Sequence, residues 1–229
     1  MRFDVLTLFP EMFSGYMSQS ILNKAIEREQ VSIHVHNMRD WANKDRHQKM
    51  DDRPFGGGPG MILMVEPVVK CVRDVQAMSD DPGLVILTTP QGRRLEQPFC
   101  EDLASDHKRF IVLCGRYEGF DQRVIDILQP MEISIGDYVL NGGEVASMVL
   151  VDSLVRLVPG VLGDDLSSWD DSFSRGNRIL EYPQYTRPRS FEGHDVPEVL
   201  LNGDHRAIED WRKAKSLENT KQKRSDLLE

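Results

Sequence analysis

The sequence predicts an α/β fold: a parallel sheet with helices on both faces. Three runs, "LVILTT", "RFIVLCG" and "MEISI", are short and almost continuously apolar, as strands buried on both sides must be. Each meets a glycine-bearing turn, and each turn is followed by a segment of helical period. That strand–turn–helix cycle needs parallel crossovers, not hairpins.

The elements follow in order. "MRFDVLTLF" opens as a strand that ends at Pro10. A helical pattern over 14–29 places Ile21, Leu22, Ala25 and Ile26 on one side, and "VSIHVH" alternates as a second strand. Residues 39–60 hold no stable period and finish in "PFGGGPG", a loop with unusual backbone demands. Pro67 sits at the start of a helix over 66–78, whose apolar side is Val68, Val69, Val72 and Val75. "LVILTT" is read as stopped by Pro90-Gln91-Gly92, with a helix around 98–105. "RFIVLCG" stops at Gly115 before a helix from near Gly119; "MEISI" stops at Gly136 before a helix over 144–156. Beyond Pro159-Gly160 the texture becomes polar and rich in Gly, Ser and Asp. Residues 161–176 read as a flexible linker between a main domain, 1–160, and a small, mainly helical one, 177–229. Asp204 is placed to cap the helix carrying Ile208 and Trp211.

At 229 residues the chain can bury a substantial core. No run approaches the roughly 18 apolar residues of a membrane span, and Asp4 and Glu11 interrupt any secretory leader. Cys71, Cys100 and Cys114 share no CxxC spacing and read as reduced core thiols of a cytoplasmic protein. The net charge of −9 hides an asymmetry: within 211–224 six Lys/Arg face one Glu, and 39–53 holds five basic and four acidic residues around His47. Such clusters either bind phosphate or form solvated helix faces.

Ligands in parallel sheets bind beyond the carboxyl ends of the strands, here Thr88–Gly92, Cys114–Gly119 and Ile135–Gly143. These loops are rich in backbone donors and acceptors and hold no lysine. The stretch is neither GxxxxGK[ST] nor GxGxxG, so a bare triphosphate or a dinucleotide is a poor fit. Arg116 and Glu118 lie in the middle turn, where function concentrates, whereas Asp121 and Arg123 read as a salt-bridged helix start. Arg156 ends a strongly apolar helix and needs either a partner, such as Asp152, or an opening to solvent. Asp164, Asp165, Asp170 and Asp171 read as solubilising surface, or one of them as a general base. His34 and His36 lack a third ligand, so no dedicated metal site is visible. Any Mg²⁺ dependence would act through substrate or carboxylate contacts. On residues alone the chain is an α/β enzyme with a backbone-lined pocket and a smaller basic appendage.

The blocks "LFPEMF", "DDRPFGGGPGM", "TPQGRRL", "CGRYEGFDQRV", "SIGDYVLNGGE", "DSLVRLVPGVLG", "DSF" and "YPQYTRP" together resemble the bacterial tRNA (guanine-N1)-methyltransferases over essentially the whole chain. The resemblance implies a SPOUT-class fold with a C-terminal trefoil knot in the main domain, a topology that general rules of chain path disfavour. It implies S-adenosylmethionine held by Thr88, Thr89, Pro90, Gly115, Gly119, Ile135, Gly136, Tyr138, Leu140, Gly142 and Gly143. It further implies Asp171 as general base, Arg156 as support for the reacting guanine and Glu118 as a substrate-positioning carboxylate. The expected reaction is methylation of N1 of guanosine 37, 3′ to the anticodon. A homodimer with sites at its interface and a tRNA-binding tail are implied as well. The sequence departs from the usual pattern at Phe55, Asn141 and Ala146-Ser147.

Overall fold

In a computed structural model, which describes residues 1–42, 49–162, 171–175 and 177–229, five parallel strands form the central sheet in the order β2-β1-β6-β5-β7. The elements run β1 Arg2–Thr7, α1 Ser14–Met17, α2 Ser20–Glu27, β2 Ser32–Asn37, β3 Asp51–Asp52, β4 Ile62–Leu63, α3 Val65–Gln76 and β5 Leu84–Arg94. There follow α4 Gln97–Asp106, β6 Arg109–Cys114, α5 Gln122–Leu128, β7 Met131–Ser134, α6 Gly143–Val155, β8 Ser190–Phe191, β9 His194–Asp195 and α7 His205–Lys223. Two compact units divide the chain, Met1–Gly163 and Asp164–Glu229.

Strand geometry sends successive side chains to opposite faces, and both faces are covered. Phe3, Ile86, Phe110, Val112 and Ile133 pack with Leu22 and Ala25 of α2, Phe99 and Leu103 of α4, and Leu150, Leu154 and Val155 of α6. Leu6, Leu87, Ile111 and Leu113 point the other way, onto Val68, Val72 and Val75 of α3 and Val124 of α5. All six residues of β6 are buried, as its place at the centre of the sheet requires. The fold class expected from the apolar runs is therefore the fold observed.

Two local expectations change. The helical pattern over 14–29 is split into α1 and α2, because Ser20 takes φ 56°, a left-handed conformation no helix interior contains. The strand β5 is not ended by Pro90-Gln91-Gly92. Thr88 and Arg93 both pair with Ile133 of β7, so the intervening residues loop out and the ladder resumes. Gly92 closes that excursion against the β7 backbone, where an added Cβ would overlap Glu132 and Ile133. The arginine at the end of α6, Arg156, is exposed, which is the opening to solvent, one of the two alternatives that the sequence leaves open.

In the second unit, Asp204 caps α7 as expected, accepting from the backbone of Arg206 and Ala207 at 3.1 Å each. The "DSF" residues sit in a turn: the Ser174 N–H donates to the Asp171 carbonyl, and Ser172 Oγ accepts from the Glu181 N–H. Leu180 N–H donates to Thr220 Oγ1, tying this segment to α7. The other linker carboxylates singled out above, Asp164, Asp165 and Asp170, and His47 of the mixed cluster lie outside the described residues. Among the described residues no helix is long and apolar enough to cross a membrane.

Candidate active site

The carboxyl ends of β5, β6 and β7 open into a cavity of about 480 Å³. This is within the ordinary range for small-molecule sites. Its wall is built from the three loops the strand pattern marks. Thr88, Thr89, Pro90, Gly115, Gly119, Ile135, Gly136, Tyr138, Leu140, Gly142 and Gly143 all line it, and so does Glu118. Arg116, Gln91 and Ala146 line it as well, and so do Phe120 and Glu132, which no sequence signal singled out. Arg156 is not among the lining residues, and Asp171 belongs to the second compact unit.

The loops are fixed by one another. The Gly143 N–H donates to the Gly115 carbonyl at 2.7 Å, and Thr88 Oγ1 donates to the Leu113 carbonyl at 3.2 Å. Gly143 has no room for a side chain: a Cβ would come within 2.5 Å of Thr88 Oγ1 and 2.7 Å of the Gly115 nitrogen. Gly142 lines the cavity, and its missing side chain has a second neighbour. Its φ of 173° is extended and open to any residue, and an added Cβ would overlap the Arg116 guanidinium. The missing side chain makes space for Arg116. On the far wall Tyr138 lies over Gly136 and donates its hydroxyl to the Ile135 carbonyl at 3.1 Å.

Beneath this wall lies a buried polar group. Glu144, in the first turn of α6, is fully buried; it accepts from Thr7 Oγ1 at 2.8 Å and its second oxygen lies 2.8 Å from Arg116 Nε. That second approach is an ion pair outside hydrogen-bond alignment, so neither atom has a directed partner among the described residues. Arg116 also donates to the Asn141 carbonyl at 3.2 Å and stacks over Phe9 at 4.5 Å.

Glu118 is exposed at the rim, and its chain segment is stitched to the glycine loop after Pro54. Its N–H donates to the Met61 carbonyl at 3.0 Å, and Leu63 N–H donates to the Gly119 carbonyl at 2.9 Å. Gly60 abuts the Glu118 side chain so closely that a Cβ would reach 2.5 Å from its Oε1. Asp121 and Arg123 form the expected helix start: Asp121 caps α5 and pairs with Arg123 at 2.7 Å. The cysteines are buried free thiols, and burial pushes the Cys100 thiol up to about 11. Such thiols are inert at neutral pH.

This chemistry suits a ligand read by main chain. The wall offers carbonyls and N–H groups to an adenine-like edge and a carboxylate at Glu118, with no lysine for phosphate. A family model described as tRNA (Guanine-1)-methyltransferase TrmD matches residues 1–229. The chain belongs to the tRNA (guanine-N1)-methyltransferase family. It is similar to a tRNA (guanine-N(1)-)-methyltransferase of Rhodopirellula baltica, 67% identical over 100% of this chain and 94% of the relative. Relatives of the same name from Geobacter sulfurreducens and Oceanobacillus iheyensis are each 51% identical over 100% of this chain, covering 91% and 92% of their own lengths. As a member of the tRNA (guanine-N1)-methyltransferase family the chain is a methyltransferase that uses S-adenosylmethionine to methylate guanine in tRNA, on the SPOUT trefoil-knot architecture.

Proposed function

We propose that the chain methylates N1 of guanosine 37, the nucleotide 3′ to the tRNA anticodon, using the cavity beyond β5, β6 and β7 as its donor site. The observation that carries this reading is the convergence of every residue matched to the family's cofactor loops on one backbone-rich cavity. S-adenosylmethionine supplies an electrophilic methyl group when bound there. The protein's residues do the rest. N1 of neutral guanine carries a proton and is a poor nucleophile, so a base must take that proton as the methyl arrives. Asp171 has this role. Negative charge then builds on O6, and the Arg156 guanidinium stabilises it more in the transition state than in the ground state. Glu118, at the cavity rim, orients the base.

The reading includes a homodimer in which the donor cavity of one subunit is completed by Asp171 of the partner subunit. It is supported by an apolar outer face on α6, where Val145 and Val149 stand exposed, with Phe9 and Met12 also exposed on unit 1. A helix apolar all round is one that expects cover on both sides. The tRNA is held by the basic stretch Arg212, Lys213, Lys215, Lys221, Lys223 and Arg224. Lys213 and Lys215 already pair with Glu209 and Glu218 at 2.6 Å, as exposed pairs that an RNA phosphate can displace at small cost.

The test is incubation of unmodified tRNA with protein and methyl-labelled donor, followed by nuclease mapping. Label on N1 at position 37 is expected; label on a ribose or another base defeats the assignment. Asp171→Asn should keep donor binding and lose turnover, and Arg156→Lys should be severely impaired because a point ammonium does not replace a forked guanidinium. Neutralising the six tail cations should weaken tRNA affinity and flatten its salt dependence while sparing donor binding.

A further inference from the structure

We propose that Glu144 and Arg116 act as a positioning pair for the methyl-donor site, holding the 140–143 turn in the shape that lines the cavity. The proposal rests on the reading of that cavity as the donor site. Four observations converge on it. Glu144 is wholly buried, and a buried carboxylate is retained only where its charge is compensated. Its charge is met by Arg116 from the loop after β6 and its other oxygen by Thr7 at the end of β1, so one side chain gathers three elements. Arg116 in turn fills the space left by the absent Gly142 side chain and donates to the Asn141 carbonyl, gripping the turn from below. Its remaining contacts, the Met12 sulfur at 3.1 Å and the Phe9 ring, hold the guanidinium in place along the cavity wall.

Two backbone segments that line the cavity are thus clamped by a charge pair of which Glu144 lies buried beneath the wall and Arg116 forms part of the wall. The pair is an ionic contact off hydrogen-bond alignment. An acidic residue in the first turn of a helix ordinarily serves the helix dipole. Here it faces inward and serves the loop before it.

The test uses the full chain and the demethylated product S-adenosylhomocysteine as ligand in calorimetric titration, beside steady-state kinetics. Glu144→Gln keeps the acceptor for Thr7 and removes the charge; Arg116→Gln removes the other half. Each should weaken ligand binding tenfold or more. The kinetic loss should fall on the donor KM, with kcat at saturating donor falling less than threefold. The double variant should be no worse than about twice the poorer single, because the two residues act as a unit, and Arg116→Lys should recover part of the loss. Folded variants that bind with the original Kd, or single losses that multiply fully in the double, overturn the proposal. If Glu144→Gln does not fold, Arg116→Gln, whose side chain is partly in solvent, decides alone. Photolabelling with methyl-labelled donor separates this proposal from the site reading. Label in 88–91, 115–120 or 132–146 with unchanged variant affinities defeats the positioning pair only. Label elsewhere defeats both.

Discussion

The two ends of the parallel sheet bury charge in opposite ways. At the amino ends, Asp4 is wholly buried between Arg2, His36 and Arg109, each within 2.9 Å. Arg109 uses its other donors on the Val75, Gln76 and Asp81 carbonyls around the end of α3, so the cluster is satisfied on every side. Burial alone would raise the Asp4 carboxyl, but hydrogen bonds from His36, Arg2 and Arg109 outweigh it and hold the group well below the usual carboxylate range. At the carboxyl ends, the buried Glu144 has a misaligned cation and sits under an open cavity. The closed end serves stability, and the open end carries the cavity proposed as the donor site. A parallel sheet keeps the two apart by its own polarity, since all of its ligand-facing loops emerge on one side.

That contrast breaks most sharply at Asp4. Asp4→Ala leaves the buried Arg109 guanidinium without its counter-charge and should cost about 3–5 kcal/mol in urea unfolding, with ligand affinity per folded molecule unchanged. A loss below about 1 kcal/mol would make the cluster no more than a surface pair. Gly143→Ala attacks the other end. Its Cβ meets the Gly115 and Cys114 backbone, which cannot swing aside as a side chain can. A stability loss of about 1–3 kcal/mol should come with at least a tenfold fall in donor affinity, read by titration.

Acid unfolding sharpens the comparison further. The folded Asp4 carboxyl is depressed, so below the unfolded value near pH 4 the unfolded chain binds a proton that the native one refuses. The stabilisation from Asp4 is therefore fully present above that pH and lost as pH falls. In Asp4→Asn the slope of stability against pH in this window should drop by up to about 1.4 kcal/mol per pH unit, whereas Glu144→Gln, at the other end, tests binding. An unaltered acid limb in the Asn variant would assign acid lability elsewhere. The smallest effect is expected at Asp204→Ala, which removes the α7 cap and should cost about 1 kcal/mol in the second unit while leaving the donor affinity of the first as it was.

Much of this architecture is legible in the chain. The buried strands announce themselves as largely apolar runs, and α3 by valines at helical spacing, because burial on both faces admits a polar side chain only where it is paired. The loops that build the cavity follow from strand polarity alone. What was hidden depended on partners distant in sequence. Glu144 reads as an ordinary first-turn acid, and only Thr7, 137 residues away, and Arg116 reveal its inward role. Gly142 reads as room for a ligand until Arg116 is seen filling that room. Likewise Pro90-Gln91-Gly92 has the composition of a strand terminator, and no local rule says that the ladder resumes at Arg93. The proposed roles of Asp171 and Arg156 came from family resemblance, because an acid in an acidic segment and an arginine at a helix end carry no distinctive pattern of their own.

The return of β5 to its partner has a consequence for how this enzyme can change. Because Thr88 and Arg93 share Ile133 across the ladder, the residues between them form a cassette whose length the sheet does not count. A residue added or removed among Thr89, Pro90 and Gln91 would reshape one wall of the cavity, yet Leu84–Thr88 and Arg93–Arg94 would keep their neighbours. Gly92 is the fixed hinge of that cassette, pressed against the β7 backbone. Variation in the cavity wall can therefore be sampled there without shifting strand register, a freedom that neither the close-packed turn at Gly143 nor the centre of β6 possesses.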